Sequence, residues 1–410
     1  MTVPVSRRAV IAGGGLAALV CAVPASAVST DADRQLRVLL DGAAAGADIS
    51  RPLQRFDSGA LSPSARLDLV TARAGLRIDA ELARRFPDPK GAMTSARYAL
   101  LLKRLTGDDT EPARARRRLE QELHALLARA NALLTEQGHR DGTVGARFSA
   151  LWRDPRWLYP DDDAGRDRAV ADMNRVLARA RDGIRQAFPD IPPHCLNVAV
   201  RRMSRADEAA GRGGYRELPD AGKPGAYIVD LKDISRRPSW TLPSVAHHEL
   251  LPGHMIQLPI EALADPHPLR LKYAAGFAEG WAVHGERLAA SQGAYAGDAM
   301  GELGHLHWLL FRIGRALIDL HIHLSGWTIE RARAQLVEWQ GEPAYFAPFD
   351  MDLKRIAAEP ALRVAEALAW LTIADLARTD QRAVHHIALV HGRMRNDELR
   401  RAMRQKGGWR

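Results

Sequence analysis

The sequence is poor in cysteine, and this limits how it can be stabilised. Cys21 and Cys195 are the only two in 410 residues. Cys21 falls in an expected export segment, so Cys195 keeps no internal partner and a disulfide framework is excluded. Aromatic residues make up only 6% of the chain, and Ala, Leu and Arg dominate while Tyr, Phe and β-branched residues are sparse. That composition disfavours an all-β sandwich and favours helix. No internal repeat of about 20–50 residues and no long low-complexity tract is present, which argues against solenoids and propellers. No Pro/Gly/Ser linker separates two cored halves, so one mostly helical domain over 28–410 is the economical reading. Without staples, a mature chain of roughly 380 residues must draw its stability from packing a large core.

The apolar run near the start is too short to span a membrane. Ser6-Arg7-Arg8 precedes it and Ala25-Ser26-Ala27 supplies a small-residue cleavage site. Residues 1–27 are therefore expected to be a twin-arginine export signal, leaving the mature chain periplasmic or extracellular. Ala18-Leu19-Val20 before Cys21 is a poor lipid-attachment motif, so no lipid anchor is expected. The formal net charge is +9, and about +7 once Arg7 and Arg8 are removed. The arginines are dispersed, with local clusters at 114–118 and at Arg236-Arg237. No nucleic-acid module or aromatic-interleaved basic stripe appears, so nucleic acid is not an expected partner. A basic exterior suits anionic envelope surfaces, and an arginine near a cleft can hold a substrate carboxylate.

Amphipathic periodicity predicts helices over about 63–86, 93–106, 111–137, 163–187, 269–290, 298–323, 328–339 and 358–377. Ser62-Pro63 and Thr110-Glu111-Pro112 are good helix starts. Alternation predicts strands over 196–200 and 226–231, joined by a long loop or hairpin in the Gly/Pro-rich interval 210–225. The helices up to about residue 190 are expected to form one wall, and those bearing the chemistry the other.

The chemistry centres on His247-His248-Glu249-Leu250-Leu251-Pro252-Gly253-His254. Imidazole is the commonest metal ligand, and a Glu beside a ligating His is where a zinc hydrolase keeps its general base. On an unbroken helix the spacing fails. His248 and His254 are about 120° apart around the axis, while His247 and His254 share a face but sit about 10 Å apart along it. Pro252 removes a helix hydrogen bond and clashes with the carbonyl of His248, and Gly253 tolerates unusual backbone angles. A break there can bring His254 to where an i+4 histidine would stand. Glu279, flanked by apolar residues, completes a His-His-Glu set for one Zn2+ with a position left for water. Glu286 lies two turns further on the same face and is positioned to orient a ligand. The alternatives are a chance histidine cluster bonded to backbone, and acidic residues that only pair with arginines. Arg315, Asp319 and His323 form a polar stripe at helical spacing. There, His323 is a candidate oxyanion donor and Asp319 a candidate orienting group, or Arg315 and Asp319 make a simple i,i+4 salt bridge.

Pro224-Gly225-Ala226-Tyr227, Thr241-Leu242-Pro243, His248-Glu249-x-x-Pro252-Gly253-His254-x-x-Gln257 and Glu279-Gly280-Trp281-Ala282 together resemble a bacterial family catalogued as domain of unknown function 885. The resemblance extends to Leu61-Ser62-Pro63, to Arg315, Asp319 and His323, and to Gly326-Trp327-Thr328. It implies kinship with the helical zinc peptidases typified by thimet oligopeptidase. The fold expected from it is mainly α, a helical zincin-like metallopeptidase with a small β-sheet beside the active-site helix. The sheet edge would hold an extended peptide, with Tyr227 a candidate proton donor to the oxyanion. The expected activity is zinc-dependent hydrolysis of short peptides, with Glu249 as base, His248, His254 and Glu279 on the metal, and His323 or Tyr227 at the oxyanion. Three departures stand out: Met255 where the family often has a second His, His284 where it usually has Tyr, and no clear C-terminal Pro and Tyr-Lys pattern in 355–375. They leave open a zinc-retaining peptide-binding envelope protein without turnover, or a hydrolase of non-peptide amides or esters.

Overall fold

The structure, a computed structural model, describes residues 30–188, 191–345 and 347–405. The expected export signal lies outside them. Helices α1 (Asp31–Ala44) and α2 (Ser50–Arg55) lead into α3 (Pro63–Arg85), α4 (Ser95–Thr106), α5 (Pro112–Glu136), α6 (Val144–Trp152) and α7 (Asp163–Ala187). A small sheet follows, with strands β1 (Val198–Arg202), β2 (Tyr215–Glu217) and β3 (Gly225–Val229) and the short helix α8 (Arg205–Ala209) between the first two. The chain continues through α9 (Leu242–Glu249), α10 (His254–Ala264), α11 (Pro268–Tyr273), α12 (Phe277–Ser291) and α13 (Ala299–Ser325). It closes with α14 (Ile329–Gln340), α15 (Phe349–Ala358), α16 (Leu362–Val390) and α17 (Asn396–Arg404). The molecule is thus mainly helical with one three-stranded sheet among the described residues. No described helix is long and apolar enough to cross a membrane.

Local chemistry sets most helix ends. The Ser62 hydroxyl accepts from the Ala65 amide with Pro63 in the first turn, and Thr94, Thr143 and Thr328 cap α4, α6 and α14 in the same way. The pattern over 269–290 does not form one helix. It breaks at Ala274 (φ −110°, ψ 34°) because its two halves serve different cores. Leu269 and Tyr273 pack with α1–α3, whereas Phe277, Trp281 and Val283 face the main cores. The interval 210–225 contains β2, which pairs antiparallel with β3, while β1 runs parallel to β3 on its other side. Arg216 and Val200 are both register partners of Tyr227, so these three residues share one face of the sheet.

Two cores enclose the elements that carry the chemistry. One gathers α7, the sheet, α9, α10 and the end of α16, and the other gathers α4–α6, α13 and the start of α16. The expected pair of walls does form in part, with α5 on α13 and α7 on α9, but α16 adds a third layer against α12. Gly280 permits that approach, since a Cβ there would stand 2.6 Å from the Ala369 side chain and 2.7 Å from the Trp370 amide nitrogen.

Candidate metal centre

Four residues, Leu250–Gly253, separate α9 from α10. Leu250 leaves helical geometry (φ −116°, ψ −95°), and the Leu251–Pro252 peptide is cis. Backbone bonds tie the break down, from the Gly253 amide to the His247 carbonyl at 3.0 Å and from Met255 to Leu250 at 3.1 Å. Only glycine fits at 253, because a Cβ would come within 1.9 Å of the His248 carbonyl oxygen. His247 serves the break itself. Its Nδ1 donates to the Leu251 carbonyl at 3.0 Å, and its ring meets Tyr295 edge-on.

The break brings His248 and His254 together, with ring centroids 4.9 Å apart at 89°. Glu279, in the first turn of α12, approaches both: its carboxylate oxygens lie 3.5 Å from each Nε2. One ligand atom from each of the three residues falls within 4.8 Å of the others. Ligands at about 2.0–2.2 Å around a tetrahedral zinc stand about 3.4 Å from one another, so the two separations of 3.5 Å suit such an ion. Neither ring nitrogen of His254 has a hydrogen-bond partner, although the residue is only 2% exposed. Buried polar atoms are nearly always satisfied, and an orphaned Nε2 facing Glu279 fits a metal ligand.

Protonation is set by the neighbours. His248 Nδ1 lies 2.7 Å from Glu286 Oε1, which can only accept, so the proton sits on Nδ1 and the Nε2 lone pair faces Glu279. Glu286 also accepts from the Ser244 hydroxyl at 2.6 Å, with His305 Nδ1 at 3.7 Å. Burial opposes ionisation of Glu286, yet its bonds to His248 and His305 hold it well below the usual carboxylate range. Burial, ahead of the Arg216 charge, lowers His254 to about 4. Glu279 is pulled well down by Arg312 and by its histidine contacts, against its burial.

Arginines border this cluster. Arg312 donates to Glu279 Oε2 at 2.9 Å and, with its other Nη, to His248 Nε2 at 3.1 Å. Arg216, from β2, meets Glu249 Oε2 at 2.5 Å. Tyr227, on β3, bonds through its hydroxyl to that of Tyr345 at 3.2 Å. Burial first, then Tyr345 and Glu249, raise the Tyr227 phenol well above 10, so it stays protonated.

The Arg315–Asp319–His323 stripe does not join this group. Arg315 turns to Asp352 at 2.8 Å and Glu366 at 3.8 Å, so the expected i,i+4 pair with Asp319 is absent. Asp319 accepts from the Tyr98 hydroxyl and the amides of Ala361 and Arg363, anchoring the start of α16. His323 Nε2 donates to the Ile356 carbonyl at 3.1 Å. It lies eleven residues beyond Arg312 on the same helix, about 16 Å along the axis, too far to meet an oxyanion at the cluster. The stripe is polar because it joins α13 to α4, α15 and α16. Met255 is fully buried in the core, and His284 bonds His385 of α16, Nε2 to Nε2 at 2.9 Å.

Sequence reasoning missed Arg312, Arg216, Ser244 and His305. Arg312 had a signal: it is a charge inside the apolar run Leu309-Leu310-Phe311-x-Ile313. Arg216 lay in an interval read as connection, and neither Ser244 nor His305 carries a local pattern.

The fold and site together define a mainly helical protein whose paired helix ends converge two histidines and a glutamate at one point. The chain belongs to the family of bacterial proteins of unknown function, DUF885, which it matches over residues 22–403. In structure it is similar to a candidate lipoprotein from Colwellia psychrerythraea, with a TM-score of 0.68 and 24% identity, over 91% of this chain and 68% of that one. It is also similar to a candidate lipoprotein of unknown function from Shewanella oneidensis, at a TM-score of 0.62 and 15% identity, over 91% and 73% of the two chains. At these identities the likeness establishes the fold alone. No curated protein matches the chain.

Proposed function

We propose that the chain is an exported zinc-dependent hydrolase, a peptidase acting on short peptides. The observation that carries this reading is the convergence of one ligand atom each from His248, His254 and Glu279, with the buried Nε2 of His254 left without a hydrogen-bond partner and Arg312 the group that an ion would displace from His248 Nε2. These three residues would hold the ion. Zinc held by three protein ligands supplies Lewis acidity and brings the ionisation of bound water to near pH 7. Glu249, next in sequence to His248, takes a proton at its carboxylate and returns it to the leaving amine. For that, Glu249 must share or release the Oε2 bonded to Arg216. Glu286, braced by Ser244, keeps His248 in the tautomer that offers Nε2. Tyr227 is the remaining candidate oxyanion donor, because His323 is engaged at Ile356. A small sheet beside the broken helix, and a base adjacent to the first histidine, are what kinship with the helical zincin-like peptidases would produce. The export half of the reading rests on the N-terminal sequence.

A second reading, a zinc-retaining peptide-binding protein without turnover, draws support from the Arg216–Glu249 pair, which occupies the proposed base. Metal analysis and a peptide-library digest with and without chelator decide the matter. About one zinc per chain with chelator-sensitive cleavage is the expected result. Full zinc occupancy with no cleavage would favour the binding protein, and a chain that takes up no divalent metal would sink both.

A further inference from the structure

We propose that Arg216 and Arg237, with the hydroxyls of Tyr227 and Tyr345, form a receptor for a carboxylate beside Glu249. Calling its ligand a substrate rests on the hydrolase reading; the receptor itself does not. Arg237 is only 2% exposed, and its guanidinium lies 3.5 Å from the centre of the Tyr345 ring. The nearest carboxylate, Asp230, stands 3.8 Å away and is shared with Lys232 at 3.3 Å. Arg237 Nε and Nη1 have no hydrogen-bond partner. A buried cation with two idle donors is costly, and an anion accepting from them removes the cost.

The surroundings add donors. The Tyr345 hydroxyl meets that of Tyr227, and Tyr227 pairs across the sheet with Arg216, so the two arginines flank a phenol pair. Arg216 has an unpartnered Nε of its own, while one of its Nη atoms holds Glu249. Two guanidinium groups and two phenols thus share Glu249 and the more distant Asp230, which Lys232 also draws on, and donors of both arginines remain unused. A planar guanidinium fork matches a carboxylate with two parallel hydrogen bonds. A ligand carboxylate on Arg216 also takes over part of the donor set that occupies Glu249, so anion binding and release of the base are linked. The ligand is a peptide carrying a carboxylate, either its free C-terminus or an acidic side chain.

Calorimetry on the mature chain, in chelator so that nothing turns over and again with zinc, tests this with three probes. They are N-acetyl-trialanine, its C-terminal amide, and that amide with a central glutamate. The free acid, the glutamate amide or both should bind about tenfold or more tightly than the plain amide, the loss expected for a charge-assisted hydrogen bond. Which of them does so identifies the source of the carboxylate. Arg237→Gln should abolish the preference, and Arg237→Lys should keep part of it. If Arg237→Gln lowers the melting temperature sharply, Tyr345→Phe decides, since it keeps the ring under Arg237 and removes only the hydroxyl. It should cut the preference several-fold. Equal binding of all three probes, or a preference untouched by these variants, would overturn the receptor and leave only bound water at Arg237. Carboxylate-selective binding without cleavage in zinc would retain the receptor and remove the hydrolase.

Discussion

Arg312 and Arg315 stand one turn apart on α13, yet they belong to two different kinds of polar cluster. Arg312 reaches Glu279 and His248, beside His254, whose ring nitrogens have no hydrogen-bond partner. Arg315 turns to Asp352 and Glu366, and its neighbours are consumed by the protein itself, Asp319 by three donors and His323 by a backbone carbonyl. Both clusters show in sequence as ionisable residues set within mostly apolar stretches. What separates them is whether coordination capacity remains after the protein's own bonds are formed. A structural cluster closes on itself, and a ligand site keeps capacity in reserve.

The contrast can be broken by substitution. The largest effect is expected at the proposed base. Glu249→Gln should keep full zinc content by metal analysis yet slow peptide hydrolysis by about 100- to 10,000-fold, the range for losing a general base. Full activity in that variant would remove Glu249 from the mechanism. At the other cluster, Asp319→Ala should leave zinc content unchanged and cost roughly 2–4 kcal/mol in urea unfolding, because Tyr98 and two amides lose their acceptor. Lost metal with unchanged stability would reverse the assignment of the two clusters. Glu286→Gln should weaken zinc about 10- to 100-fold in a chelator competition, since it frees His248 to take the other tautomer.

A pH effect is expected from His284 and His385, which burial lowers to about 3 and about 4. Both are neutral in the folded chain, and between pH 4 and 6.5 the unfolded chain binds more protons. Stability should therefore fall as pH drops from about 6.5 toward 4, by on the order of 2 kcal/mol per imidazole at pH 5. Urea midpoints at pH 7 and pH 5 measure this. Replacing both imidazoles with Phe should make the dependence shallower but not abolish it, because burial also lowers His247, His307 and His391 to about 4. An unchanged slope would show that His284 and His385 do not contribute.

Much of the helical frame was legible because periodicity and caps are local. Ser62-Pro63 opens α3 as read, and the pattern over 163–187 coincides with α7. The break over 269–290 was not legible, since apolar periodicity carries no mark of which core each turn will face. β2 was hidden as well: three residues are too short to show alternation, and pairing with β3 makes the strand. Within the candidate site, His248, Glu249, His254, Glu279 and Glu286 were all visible, as was the need for a break at Pro252-Gly253. Arg312, Arg216, Ser244 and His305 were not, because each acquires its meaning from a partner distant in sequence.

The sequence by itself determined the helical character and the helix breaker between two histidines. Covalent geometry and local hydrogen bonding act over a few residues and need no partner. Only the tertiary structure decided which polar residues converge and which lock helices together. That choice depends on how α9, α10, α12 and α13 are held between two cores, and no stretch of α13 read alone distinguishes Arg312 from Arg315.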